Sequence, residues 1–307
     1  MKLYLAPREG ITTAIYRNTH NEFFGYCDEY YSPFIAPSEN ERITNKTLKD
    51  VLKENNKNVC LKVQVLTNIS NAFNTLAKKV REIGYDEINI NLGCPANTVA
   101  GKGRGSGFLR YPEKLDEFLY NIYSQNDMKI SVKTRLGFED PSEIYTILDI
   151  YNKYPCCELI VHPRVRAEFY KGYPHMDMFD YTYNNSAAKV CYNGNIFTNE
   201  DYVKISEKYT NLSGVMIGRG AIANPGIFRE IRTGRKTTKE DLVNFTELLV
   251  QNYGKVLNCD TYVLHKLKEI WIYSIENFDD CKKQFKIMKK TDSLSEFLNA
   301  VHNLPEI

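Results

Sequence analysis

Eight short apolar runs alternate with longer segments of helical period across residues 3–218, and no other feature of the chain narrows its fold as far. The strand-like runs fall at 3–7, 33–36, 60–66, 87–91, 130–135, 159–162, 189–193 and 214–218. Between them the apolar spacing predicts helices over 12–24, 47–55, 70–83, 112–124, 142–154 and 199–209, with a less regular stretch at 174–183. Pro112 stands at a first helical position, and Asn199 is followed by Glu200 and Asp201, both of which are start signals. Strands that are mostly apolar are buried on both faces, which calls for a parallel sheet covered by its crossover helices. Eight such units point to closure into a (β/α)8 TIM barrel, an α/β fold, with a doubly wound open sheet as the alternative.

From Arg235 onward the strands stop, and amphipathic runs at 239–256, 262–276, 281–288 and 293–301 predict an appended all-helical domain. The division is therefore 1–234 for the barrel and 235–307 for the helices, with residues 233–238 as linker. Forty Lys plus Arg against thirty-eight Asp plus Glu give a net charge of +2, so bulk charge announces neither nucleic acid nor an anionic membrane. Local charge is less even: Lys282–Lys290 holds five lysines, which on composition alone read as a solvated helix face. None of the eight cysteines are spaced C-x-x-C, so no metal site is expected. The opening residues lack the apolar core of a signal peptide and no run approaches the ~20 apolar residues of a membrane span, so a reduced, cytoplasmic, non-membrane protein is expected.

In a barrel the binding groups gather where strands end, at the C-terminal face. Those ends carry Pro7 and Arg8, Gln64, Asn91 through Pro95, Lys133 and Arg135, His162 and Arg164, Asn193 to Asn195, and Gly218 to Gly220. Cys94 follows a strand directly and precedes Gly101, Gly103, Gly105 and Gly107, which reads as a thiol exposed on a flexible lid, or as a structural cysteine at the edge of the core. The glycine run follows no strand directly and opens no dinucleotide unit, which argues against a Rossmann fingerprint. Gly218-Arg219-Gly220 running into a helix offers backbone amides and a guanidinium to an anion; Gly194 in the preceding strand end implies a close approach of the backbone to another group, and this pair of loops is the common phosphate site of barrels. Lys133, at a strand end, is either a Schiff-base nucleophile or a cation for a ligand. With Gln64 and His162 it supplies donors for a planar, carbonyl-rich ring whose phosphate tail lies on the glycine loops, the outline of a flavin mononucleotide pocket.

LAPREGITTAIYR, NINLGCP with its glycine run, VKTRLG, VHPRVRAEFYKG, NGNIF and VMIGRGAIANP stand in one order along nearly the whole chain, and together they resemble the tRNA-dihydrouridine synthases. The resemblance implies an FMN-dependent oxidoreductase that uses NADPH to reduce a D-loop uridine of tRNA. It makes Cys94 the catalytic proton donor and places Pro7, Arg8, Glu9, Gln64, Lys133, His162, Asn193, Gly194, Asn195, Gly218 and Arg219 on the cofactor. Asn91 and Tyr170 would meet the uridine and neighbouring RNA, and Arg135 and Arg164 belong to the same motifs. In such enzymes the helical domain contacts tRNA, which turns Lys282, Lys283, Lys286 and Lys290 into candidate RNA contacts. The opening LAPREG is most similar to the branch acting on position 16, ahead of position 20, and a monomer is expected. Arg8 replaces a usual methionine, Pro163 a usual small residue and Asn195 a common acidic one. Rival readings are an FMN barrel reductase of a free pyrimidine or enone, a Schiff-base aldolase using Lys133, and a non-catalytic RNA-binding barrel.

Overall fold

The computed structural model describes residues 1–37 and 43–307. Its strands are β1 (Lys2–Leu5), β2 (Glu29–Tyr31), β3 (Leu61–Val65), β4 (Glu87–Leu92), β5 (Lys129–Gly137), β6 (Glu158–Val165), β7 (Lys189–Tyr192) and β8 (Gly214–Ile217). They pair in parallel in chain order, and β8 closes onto β1 through Lys2 to Gly214 and Leu5 to Ile217. The chain is a TIM barrel followed by helices. Its second strand departs from expectation: residues 33–36 do not form it. Pro33 has no N–H for a ladder, and the pairing is made by Tyr30 and Tyr31 with Leu61 and Lys62, leaving an isolated bridge from Ile35 to Val65. The helix expected at 47–55 is also broken, into Asn45–Leu48 and the turns Lys49–Val51 and Lys53–Asn55. There the buried Arg17 guanidinium donates to the Asp50 carbonyl at 2.7 Å and to its carboxylate at 2.9 Å, drawing that backbone out of a continuous helix.

The period of two along each strand decides what faces the barrel axis. In β1, Leu3 and Leu5 join the outer core under the helices, whereas Tyr4 and Ala6 join an inner cluster with Tyr31, Ile160, Cys191 and Met216. The N-terminal end of the barrel is plugged by polar groups: Tyr4 and Tyr31 hydroxyls donate to Glu158 at 2.9 and 3.3 Å, and Lys2 and Lys62 pair with Glu29 and Glu87. By the same alternation Gln64, Asn91, Lys133, His162, Asn193 and Gly218 face inward at the opposite end.

Four helices follow the barrel: Lys239–Leu257, Asp260–Ser274, Lys282–Lys290 and Leu294–His302. Gly234, with φ of 75°, ends the helix Ile227–Thr233, and a reciprocal cap between Thr238 and Asp241 starts the next. Helix Lys239–Leu257 packs on the barrel helix Ala14–Phe23, where Phe245 meets Tyr16 and Phe23 edge-on or tilted. Helix Asp260–Ser274 and the turn after it reach the top of the barrel, Ser274 donating to the Ile222 carbonyl at 3.0 Å and Asn277 to that of Ala223 at 2.7 Å. Among the described residues no helix is long and apolar enough to cross a membrane.

Arg229 and Asp241 form a buried ion pair at 2.6 Å between the last barrel helix and the first appended one. Removing one partner strands the other charge in a low-dielectric site, so Asp241→Ala is expected to lower stability by about 3 kcal/mol. A denaturant titration checks this, and a loss below about 1 kcal/mol would contradict it.

Candidate active site at the barrel mouth

The C-terminal ends of the strands surround an open cleft of about 910 Å³, counting the part that opens to solvent. Pro7, Arg8, Glu9, Gln64, Asn91, Cys94, Lys133, Arg135, His162, Tyr170, Asn193, Gly218 and Arg219 all line it, as do Pro33 and Phe34, which no sequence motif singles out as site residues.

Cys94 is placed by a chain of side-chain hydrogen bonds across β3, β4 and β5. Ser131 donates to Glu87 at 2.8 Å, Asn89 to Ser131 at 3.0 Å, Gln64 to Asn89 at 2.8 Å and Asn91 to Gln64 at 2.8 Å. The Asn91 side-chain oxygen then accepts from the Gly93 and Cys94 amides at 3.0 and 2.9 Å, folding the turn that carries the thiol. On the other side the Ser106 hydroxyl and amide donate to the Cys94 carbonyl at 2.8 and 3.1 Å. The glycine run is therefore no flexible lid. Gly105–Arg110 is a short helical turn with buried residues packed on the Cys94 loop, and Cys94 itself is half-buried. Gly105 has φ of 55°, and a Cβ there would stand 2.8 Å from the Cys94 carbonyl oxygen, so only glycine lets this turn close. Burial pushes the Cys94 thiol above its ordinary pKa, which outweighs the pull of Lys133 and Arg135.

Register sets Asn91 of β4 opposite Lys133 of β5. Burial first, then the neighbouring Arg135 charge, lower the Lys133 ammonium to about 8, and its Nζ makes no hydrogen bond or ion pair among the described residues. An unpartnered ammonium aimed into a cleft is a group waiting for an acceptor. His162 is held well below its usual range by burial and by the surrounding Arg135, Lys133, Arg164 and Arg219 charges, so it is neutral. Arg164 approaches its Nε2 at 3.0 Å; a guanidinium only donates, which leaves the imidazole proton on Nδ1.

The two strand arginines are spent inward. Arg135, 1 % exposed, donates to the carbonyls of Gly93, Val165 and Phe169 at 2.9, 2.9 and 2.7 Å. Arg164, fully buried, donates to the Lys171 and Gly172 carbonyls at 3.0 and 2.7 Å and to Asn195 at 3.3 Å. They fix loops around the cleft. A register shift between β5 and β6 makes room for them, and Pro163, which needs no ladder partner, sits in it. Arg135 also holds Phe169 in a left-handed conformation, φ of 54°, which swings Tyr170 across the mouth. Tyr170 there stacks near His162, with the Arg8, Arg135 and Arg219 guanidinium groups 5.9, 5.4 and 4.7 Å from its ring.

At the far side Asn195 accepts from Arg164 and from Arg219, at 3.3 and 3.1 Å. The helix Arg219–Ala223 is only five residues long, so its dipole adds little. The anion-binding capacity comes from the Arg219 guanidinium and from the Gly194 and Gly218 amides, which have no acceptor among the described residues. A Cβ at Gly218 would meet only Ala6 at 3.5 Å, leaving the cleft side open. At Gly194 a Cβ would stand 1.9 Å from the Tyr192 hydroxyl, so the close neighbour that demands glycine there is this ring. The cleft-lining donors free to meet a ligand are thus the Lys133 ammonium, the His162 Nδ1–H, the Gly218 amide and the Arg219 and Arg8 guanidinium groups, while Gly194 and Asn195 stand behind the lining. They suit a carbonyl-rich planar ring bearing an anionic tail.

The family model for dihydrouridine synthases matches residues 4–304. The chain belongs to that family. As a dihydrouridine synthase family member it is an oxidoreductase, and two of its curated relatives match it nearly end to end. The tRNA-dihydrouridine(16) synthase of Neisseria meningitidis serogroup A is 26% identical, covering 97% of this chain and 94% of its own. The probable tRNA-dihydrouridine synthase 2 of Bacillus subtilis is 27% identical, covering 96% and 92%. Among solved structures, the histamine dehydrogenase of Rhizobium sp. 4-9 superposes with a TM-score of 0.58 at 10% identity, over 82% of this chain and 48% of that one. Morphinone reductase does so with a TM-score of 0.54 at 11% identity, over 76% and 86%. At such identities the likeness is one of fold. On this dihydrouridine synthase family member the lysines of Lys282–Lys290 are exposed, and none forms an ion pair with a carboxylate among the described residues.

Proposed function

We propose that the protein reduces a uridine of the tRNA D-loop to 5,6-dihydrouridine, at position 16, with FMN in the barrel mouth and NADPH as reductant. The observation that carries this reading is one cleft that joins a protonated cysteine to a lysine with no acceptor among the described residues and to the Gly218-Arg219 anion cradle. Lys133, His162 and Gln64 would hold the flavin ring, beside the backbone of Pro7, Arg8 and Glu9. Arg219, Gly218, Gly194, Asn193 and Asn195 would hold its phosphate end. When bound, reduced FMN supplies the hydride for carbon 6 of the uracil, and NADPH restores it.

The remaining chemistry belongs to the chain's own groups. Cys94 keeps its proton because burial disfavours the thiolate, so Sγ can give it to carbon 5. Asn91 fixes the Cys94 turn through its side-chain oxygen, and its remaining amide hydrogen is left for the base. The Lys133 cation offsets negative charge that develops against it. A uridine folded into tRNA must be extruded to reach this cleft, and Tyr170, which lines its mouth, would stack on it. Residues 235–307 would serve as the tRNA-contacting unit.

The experiment is incubation of the purified protein with an unmodified tRNA transcript and NADPH, followed by mass-spectrometric mapping of dihydrouridine. A product at position 16 supports the full reading, one at position 20 overturns the choice of site, and none overturns the activity. Exchanging Lys282, Lys283, Lys286 and Lys290 for Ala is expected to flatten the salt dependence of tRNA binding, by up to ~0.9 in log–log slope for each phosphate left without its cation, with no bleaching of the flavin. An unchanged slope would remove this helix from the interface.

A further inference from the structure

We propose that Arg8 is a second anion site, at the rim of the mouth, which takes a phosphodiester of the substrate RNA beside the extruded uridine. The inference rests on the tRNA reading above and deepens it. Four cationic side chains, Arg8, Lys133, Arg135 and Arg219, line the cleft against a single carboxylate, Glu9. Arg135 is spent on backbone carbonyls, Arg219 shares Asn195 with Arg164 in the cradle proposed for the cofactor's phosphate, and Lys133 lies inside the cleft, where the flavin ring is proposed to sit. Arg8 differs. It has no carboxylate partner among the described residues, and its contacts are the hydroxyls of Tyr170, at 3.4 Å, and Tyr273.

Two neutral phenols leave a five-donor guanidinium with donors to spare and its full charge uncompensated. Both rings also lie close to it, 5.9 and 5.3 Å from its carbon, and limit its positions. Tyr273 belongs to helix Asp260–Ser274, whose Lys266 reaches the Gly10 carbonyl at 3.0 Å and pins the same loop from outside. Arg8 is therefore preorganised at the seam between barrel and appended helices, where ordering has been completed before any ligand arrives. A uracil ring entering the cleft is neutral, but the phosphates on either side of it cannot follow it inside. They stay at the rim, where a charge-assisted, forked contact is on offer.

The test uses the full chain with its flavin and an unmodified tRNA transcript, titrated between about 50 and 200 mM salt. Arg8→Met is expected to weaken binding about tenfold at low salt and to reduce the log–log slope by ~0.7–0.9, the signature of one phosphate no longer neutralised. Arg8→Lys keeps the charge, so its slope should match the parent while affinity falls part of the way. Flavin absorbance and the KM for NADPH should be unchanged in both. An unchanged slope in Arg8→Met overturns the proposal, and so does flavin loss, which would make Arg8 a cofactor residue, or a raised KM for NADPH, which would make its anion the nicotinamide cofactor. Failure of the unaltered protein to bind or reduce the transcript would instead overturn the tRNA reading itself.

Discussion

Replacing Cys94 by Ala is expected to lower dihydrouridine formation by about 10²–10⁴-fold, the range that a positioned general acid contributes, while tRNA binding and flavin reduction by NADPH persist. The separation follows from how the residue is held. Its turn is folded by Asn91 and by Ser106 through backbone groups, none of which depends on the sulfur. Removing Sγ thus leaves the loop in place and deletes one proton. Because burial raises the thiol's pKa, the acid form persists beyond the ordinary value of about 8.5. Activity limited by this proton should hold through neutral pH and fall only on the alkaline side. Measuring flavin reoxidation by tRNA in single turnover distinguishes the cases: a variant within about tenfold of the parent would deprive Cys94 of its role.

How much of the molecule is legible in its sequence depends on what sets each position. The barrel is legible because eight apolar runs with helical spacers leave a parallel sheet little alternative, and alternation along each run already puts Gln64, Asn91, Lys133 and His162 on the inner face. The misplaced second strand shows the limit of the apolar signal: residues 33–36 look more strand-like than Glu29–Tyr31, yet a proline cannot serve the ladder, and Tyr30 and Tyr31 do. The glycine run reads as mobility, when Gly105 and Gly107 are small because the Cys94 loop and Ala100 occupy the space a side chain would need. Arg135 and Arg164 look from the sequence like ligand contacts at strand ends. Burial and carbonyl partners that arrive from loops 30 to 42 residues away along the chain make Arg135 a brace, and no local pattern encodes that. Tyr273 is invisible to the sequence for the same reason, since it meets Arg8 across a separation of 265 residues.

Lys133→Met is expected to make the cofactor-free protein more stable and the enzyme much less active. The folded-state ammonium titrates at about 8 against an ordinary value of 10.5, chiefly because burial penalises the charged form and Arg135 repels it. The unfolded chain therefore binds the proton more tightly between those two values, and stability rises with pH across that window. Below pH 8 the folded protein carries the whole penalty, on the order of 3 kcal/mol. Methionine has a similar length and no charge to bury, so the variant should unfold later at pH 7, and the gap should close as pH passes from 8 to above 10.5. Activity should move the other way, by about 10²-fold or more, because a preorganised charge aimed at the reacting ring is removed. A penalty retained in a well-packed barrel is what a binding cation requires, since a site optimised for stability would not leave Nζ without an acceptor. If the variant were instead less stable at pH 7, or if its advantage did not shrink with rising pH, Lys133 would be a packed structural lysine and its place opposite Asn91 would carry no chemistry.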